Sequence, residues 1–200
     1  MTLSSPEVFV FPGKNPDVAT AKNQLFVRVA RERGFSATVV DFVGVDNPED
    51  RVRKALAIDV TKCRHVVFVG VSMGGYVATV AAESLGPIGL FLVSPALYME
   101  PYQNLDPKPK AQCIALVHGL HDQIIPVRNV SRFAEKFGAE LHLLEGDHSL
   151  LPHLPLIADL FGHFLERVGT KPNQPPEPTT TAVTIPAAQE VVPAAVVAHL

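Results

Sequence analysis

Residues 65–85 read HVVFVGVSMGGYVATVAAESL, and how this stretch divides decides the fold. Four apolar residues, Val66 to Val69, run straight into Gly70-Val71-Ser72-Met73-Gly74-Gly75, and a long Ala/Val/Thr-rich segment follows. An apolar run bounded by glycine reads as a fully buried parallel strand, and the segment after it as a packed helix. Between them lies G-x-S-x-G, the pattern of a strand-to-helix elbow that exposes a nucleophile. So tight a turn is expected to hold Ser72 in an unfavourable backbone geometry, at a cost of about 1–3 kcal/mol. Side chains two positions to either side would collide, which explains Gly70 and Gly74. The hydroxyl would then stand at the carboxyl edge of the sheet beside a helix N-terminus, where N–H groups and the helix dipole favour an oxyanion. A chance match in a plain glycine turn is the alternative, and the surrounding elements decide between the two.

Working outward, the chain alternates strand and helix patterns. EVFVF (Glu7 to Phe11) reads as a short buried strand ending at Pro12-Gly13-Lys14-Asn15-Pro16. Asp17 can cap a helix to about Arg33, with Ala21, Leu25, Val29 and Ala30 at helical spacing, and Gly34 stops it. Ser36 to Phe42 is the second strand, and Asn47-Pro48-Glu49-Asp50 opens a helix to about Cys63. After the elbow come strands at Ile88 to Val93 and Gln112 to Val117, then a helix from about Val127 to Phe137. Glu140 to Glu145 is the sixth strand and Pro155 to Val168 the last helix. Such alternation demands a parallel sheet with helices on both faces.

Two hundred residues suffice for one domain with a sizeable core. With 17 basic and 20 acidic residues the formal charge is −3, so no nucleic acid or other polyanion is implied as partner. The two cysteines, Cys63 and Cys113, each adjoin a core-like run and read as buried free thiols. No H-x-x-H or Cys/His spacing suggests a metal. The start, MTLSSPEVFVFPG, lacks a basic region followed by a long apolar stretch, and no apolar run is long enough to span a bilayer. No signal peptide is expected, and a cytoplasmic setting is. From Lys171 the character changes: the last 30 residues hold six of the 18 prolines and few charges. Residues 1–169 are therefore read as the domain, and 170–200 as a Pro/Ala/Thr-rich tail. The tail's end, Val191 to Leu200, is apolar enough to dock on the body or on a neighbouring chain, which would make a homodimer.

Sites in open parallel sheets lie beyond the carboxyl ends of the strands. After the fifth strand comes HGLHDQIIP (118–126), and after the sixth GDHSL (146–150). A hydroxyl near neutral pH needs an imidazole to take its proton, and the imidazole needs a carboxylate to fix its tautomer. Ser72, Asp122 and His148 occur in the order nucleophile, acid, histidine, each at a strand exit. Asp122 has an alternative as a capping carboxylate ahead of Pro126. His148 has competitors in His118 and His121, which look structural, and in His153, which reaches the cleft only if residues 149–152 fold back. Asp147 adjoins His148 but should point away into a loop hydrogen bond. Two backbone N–H donors would complete an oxyanion hole: Met73, just after the serine, and Lys14 in the loop after the first strand, with Gly13 allowing close approach.

These residues resemble the serine branch of the α/β-hydrolase superfamily. GVSMGG at 70–75, HGLHDQIIP at 118–126 and GDHSL at 146–150 look like its nucleophile, acid and histidine motifs, and the likeness spans about residues 7 to 168. The resemblance implies an α/β fold of six parallel strands in order 2-1-3-4-5-6, without the two antiparallel strands that usually precede them. It also implies a small esterase. Two departures matter: the common His-Gly after the first strand is Pro12-Gly13 here, and the excursion from Ser94 to Lys110 is too short for a large lid. Leu97, Tyr98, Met99 and Tyr102 in that excursion could wall an acyl pocket. The expected activity is hydrolysis of short or medium acyl esters with no cofactor. A thioesterase or amidase using the same residues is the first alternative, and a non-catalytic binding protein the second.

Overall fold

Strand β1 (Glu7–Phe11) and strand β3 (Val66–Val71) show why the apolar runs carry no polar alternation. Phe9, Phe11, Val66 and Phe68 enter one core, while Val8, Val10, Val67, Val69 and Val71 enter another on the opposite face. Successive side chains point to opposite faces, so a sheet covered on both sides needs apolar residues at every position. The computed structural model describes residues 5–14 and 16–170. Its other strands are β2 (Ser36–Val39), β4 (Gly89–Val93), β5 (Cys113–Gly119) and β6 (Glu140–Leu144). All six pair in parallel in the order β2-β1-β3-β4-β5-β6, as expected.

Helices α2 (Pro48–Leu56), α3 (Met73–Leu85) and α4 (Val127–Phe137) supply buried residues to the first core. Helices α1 (Pro16–Glu32) and α5 (Leu154–Thr170) cover the second, where Phe26, Phe91, Phe161 and Phe164 meet ring to ring at 5.1–6.1 Å. Edge-to-face and tilted contacts of this kind add about 0.5–1.5 kcal/mol each beyond the area they bury.

Element boundaries differ from expectation where local hydrogen bonds intervene. α1 starts at Pro16 rather than after Asp17, its fixed φ suiting the first helical position. α2 stops at Leu56 instead of running to Cys63: Ala57 N–H and Ile58 N–H turn back to Lys54 O and Ala55 O, and Asp59 Oδ1 then captures the N–H and hydroxyl of Thr61. An aspartate turn of this sort competes with helix propagation. β2 ends at Val39 rather than Phe42, although Val40 N–H still reaches Val10 O. Cys63 and Cys113 are free thiols, but half-buried rather than buried. The expected tail, from residue 171 onward and including 191–200, lies outside the described residues. Among the described residues no helix is long and apolar enough to cross a membrane.

Candidate active site

The chain leaves β3 and enters α3 through Ser72, whose φ of 51° and ψ of −118° are those of a strained non-glycine residue. The strain is held from several sides. Ser72 N–H donates to Val93 O of β4, and Ser72 O accepts N–H bonds from Gly75 and Ala96. A Cβ on Gly70 would stand 2.6 Å from Gly75 Cα, and one on Gly74 would stand 2.0 Å from Phe11 O. The collision expected at these two positions is therefore present. At Gly74 it comes from the end of β1, because the loop after β1 rests directly on the first turn of α3.

The structure brings Ser72, His148 and Asp122 together. His148 Nε2 lies 3.0 Å from Ser72 Oγ, and His148 Nδ1 lies 2.7 Å from Asp122 Oδ2. A carboxylate accepts only, so the ring proton sits on Nδ1 and the Nε2 lone pair faces the serine hydroxyl. The Asp122 side chain is fully buried, and its other oxygen accepts the N–H groups of Ile124 and Ile125 at 2.9 and 2.8 Å. Two backbone donors thus fix the carboxylate's rotation before the imidazole meets it. The capping role considered for Asp122 is also filled in part, since these bonds shape the turn into Pro126 and α4.

The three competing histidines have partners of their own. His118 is wholly buried, its Nε2 donating to Ile125 O at 3.0 Å and lying 3.4 Å from Asp122 Oδ2. Burial pulls its pKa below the ordinary value and keeps the ring neutral. His153 Nε2 is bonded to Glu145 O, and His121 Nε2 to the Glu145 carboxylate. Asp147 turns away from His148 as expected: its Oδ1 accepts the hydroxyl and N–H of Ser149 and the N–H of Leu150. The Ser149 hydroxyl bond, with the two backbone bonds behind it, holds that carboxyl below its ordinary pKa.

Met73 opens α3, so its N–H has no helical acceptor behind it and points to the serine's end of the helix. Gly13, Lys14, Ser72, Met73 and His148 line one cleft of about 630 Å³. Gly13 passes close to the serine: a Cβ there would stand 3.5 Å from Ser72 Cβ. The orientation of this loop comes from a residue that the sequence did not single out. Arg51 of α2 is buried and sends Nη1 to Pro12 O at 3.1 Å and Gly13 O at 3.3 Å, with Nε on Val45 O at 2.7 Å. In a trans peptide the carbonyl and the next N–H point opposite ways, so holding Gly13 O toward Arg51 turns Lys14 N–H away from it.

The pocket wall is corrected at three of its four expected residues. Leu97 is buried in the first core, its carbonyl accepting from Asn129 of α4 at 2.7 Å. Tyr98, at φ 55°, lays its ring 4.2 Å from the Arg132 guanidinium, and Met99 packs against the same core. None of the three lines the cleft. The fourth expected residue, Tyr102, does, stacked on Tyr76 with centroids 4.5 Å apart, together with Gln123 and Ile124 from the loop after β5. The excursion is pinned by Glu49, whose Oε1 accepts the Tyr76 hydroxyl at 2.8 Å and Gln103 N–H at 3.1 Å. Lys22 and Ser94 were also not foreseen: Lys22 lines the cleft from α1, and Ser94 Oγ donates to the His148 carbonyl at 3.1 Å. A lysine at a helical core position was the one available signal for the first.

Neither family models nor curated proteins match this sequence. Solved structures do. A candidate hydrolase of the alpha/beta superfamily from Xanthomonas campestris pv. campestris superposes with a TM-score of 0.70 at 25% identity, over 82% of this chain and 98% of that one. Est1E from Butyrivibrio proteoclasticus gives 0.69 at 15% identity, over 85% and 90%. An α/β serine hydrolase without lid, from Xanthomonas campestris, gives 0.63 at 18% identity, over 82% and 84%. The first of these supports a hydrolase, and the other two support the fold. With the strand order, the strained elbow and this likeness together, the chain has the α/β-hydrolase fold.

Proposed function

We propose that the protein is a serine hydrolase that cleaves carboxylic esters of short or medium acyl chains through an acyl-enzyme. The observation that carries this reading is the unbroken line Ser72 Oγ, His148 and Asp122, at 3.0 and 2.7 Å. Distances of this size are those of a nucleophile in reach of its general base, with the base held by a third group. Ser72 Oγ attacks the ester carbonyl while its proton passes to His148 Nε2. The imidazolium, stabilised by Asp122, returns that proton to the departing alkoxide, and a water then repeats the sequence on the acyl-enzyme. Amides of Met73 and Lys14 hold the oxyanion, Gly13 giving the carbonyl room to approach; each such donor contributes about 10²–10³ in rate.

The excursion at 94–110 is too short for a large lid, as the lidless neighbour also has none, and this supports a small acyl substrate. No cofactor enters the scheme, and the partner is a small molecule met in the cytoplasm. A fluorophosphonate probe tests the reading: wild type labels and Ser72→Ala does not. A panel of p-nitrophenyl esters beside a thioester and an anilide then gives the class, with turnover highest on C2 to C8 esters. Well-folded wild-type protein that takes no label would overturn the enzyme reading and leave a binding protein in its place.

A further inference from the structure

Lys22 lies in α1 with 1% of its surface exposed, yet it lines the cleft that contains Ser72. Lysine is almost never buried to this degree unless something repays the lost hydration. Among the described residues, the carboxylates of Asp147 and Asp122 lie near enough to attract the ammonium. Their own hydrogen bonds go elsewhere, to Ser149 and Leu150 in one case and to Ile124, Ile125 and His148 in the other. Among the described residues none accepts a hydrogen bond from Lys22. Its attraction to these two is through space, and among the described residues its N–H donors have no acceptor, which leaves them to whatever enters the cleft.

Val71, Met73 and Ile124 give the cleft an apolar part, although His121, Gln123, Asp147 and Ser149 line it too, and a charge beside apolar wall acts in a lower dielectric than water. Lys14 adds a second cation at the exposed side of the same cleft. We infer that Lys22 is a specificity residue whose ammonium receives a carboxylate carried by the substrate, so that the preferred ester of the Ser72 centre is an anion. This rests on the hydrolase reading and narrows its substrate class. A purely structural role, with Lys22 serving only as counter-charge to the Asp147 loop, predicts no preference between anionic and neutral esters.

The carboxylate can sit on either half of the ester, and paired substrates distinguish the halves. On the acyl side, p-nitrophenyl hemisuccinate is compared with p-nitrophenyl valerate; on the alcohol side, 4-acetoxybenzoate with 4-acetoxybenzamide. Wild type is expected to favour the anion in one pair by about tenfold or more in kcat/KM, the size expected of a charge-assisted hydrogen bond. Lys22→Met is expected to lower that anion-to-neutral ratio at least tenfold, chiefly through KM, and Lys22→Arg to retain most of it. Competition in wild type needs no variant: glutarate should inhibit more strongly than glutaramide. Equal ratios in both pairs, or a ratio unchanged in a folded Lys22→Met, overturn the inference while fluorophosphonate labelling leaves the hydrolase standing. Loss of labelling in wild type overturns both.

Discussion

Arg51 Nη1 donates to the carbonyl of Gly13 across 3.3 Å, and this bond ties a helix on one side of the elbow to the loop opposite the nucleophile. The same guanidinium sits 4.9 Å from the Phe42 ring centroid and is nearly dehydrated, so the loop cannot shed it cheaply. Removing it leaves the peptide between Gly13 and Lys14 free to rotate.

Arg51→Met should therefore lower kcat by about 10–100-fold with little change in KM, because a misdirected oxyanion donor costs transition-state binding more than substrate binding. Steady-state kinetics on one p-nitrophenyl ester, with circular dichroism to verify the fold, measure it. An equal rise in KM with kcat intact would assign Arg51 to substrate binding.

Asp122→Asn should lower kcat by about 10³–10⁴-fold while leaving the fold in place. The amide oxygen can still accept the Ile124 and Ile125 N–H groups, which directs the NH2 at His148 Nδ1. That nitrogen must then accept, the ring proton moves to Nε2, and the base no longer faces the serine with a lone pair. Thermal unfolding and ester turnover, measured together, separate the two effects.

Lys22→Met should stabilise the protein at pH 7. Burial lowers the Lys22 pKa from 10.5 to about 8, so the unfolded chain binds more protons between those values. Wild-type stability accordingly rises with pH across roughly 8 to 10.5, and the buried charge costs up to about 3 kcal/mol below that window. Urea unfolding at pH 7 and pH 10 should show the variant ahead at the lower pH and the gap closing at the higher one. A variant no more stable at pH 7 would mean that the charge is compensated in the free protein.

His118 sets an acid limit. Its pKa is lowered by burial, and among the described residues the buried Nδ1 has no hydrogen-bond partner, so protonation brings in a second N–H that finds no acceptor among them. The unfolded chain takes up that proton first, and stability falls as pH drops below about 6.5. His118→Gln should flatten this part of the stability profile between pH 7 and 5, read by unfolding midpoint. A profile of unchanged slope would show that carboxylates, not His118, govern the acid side.

Strands and the elbow were legible in the sequence for the same reason: both follow a local rule. Val66 to Val71 announce a strand covered on both faces, and the glycines around Ser72 announce the turn, because neither needs knowledge of a distant partner. Asp122 and His148 were readable from their place after strands. The pocket wall was legible only at Tyr102. Leu97, Tyr98 and Met99 follow no period, and their direction depends on positive φ values at Ser94 and Tyr98 and on the rings and amides of α4 that receive them. Arg51 and Lys22 were hidden in helical patterns where long basic side chains are usually solvated; only packing shows that each turns inward.

The loops after β5 and β6 are joined by Leu120 N–H to Leu144 O and His121 N–H to Gly146 O, and Gly119 is pressed so close to Asp147 that a Cβ there would stand 2.4 Å from its carbonyl oxygen. The acid and the imidazole consequently travel as one piece of furniture, while the hydroxyl belongs to another piece built from the elbow. Thermal breathing between the two should open the gap at Ser72 long before it separates Asp122 from His148, so that the first casualty of warming is the handover of the proton rather than the tautomer of the ring.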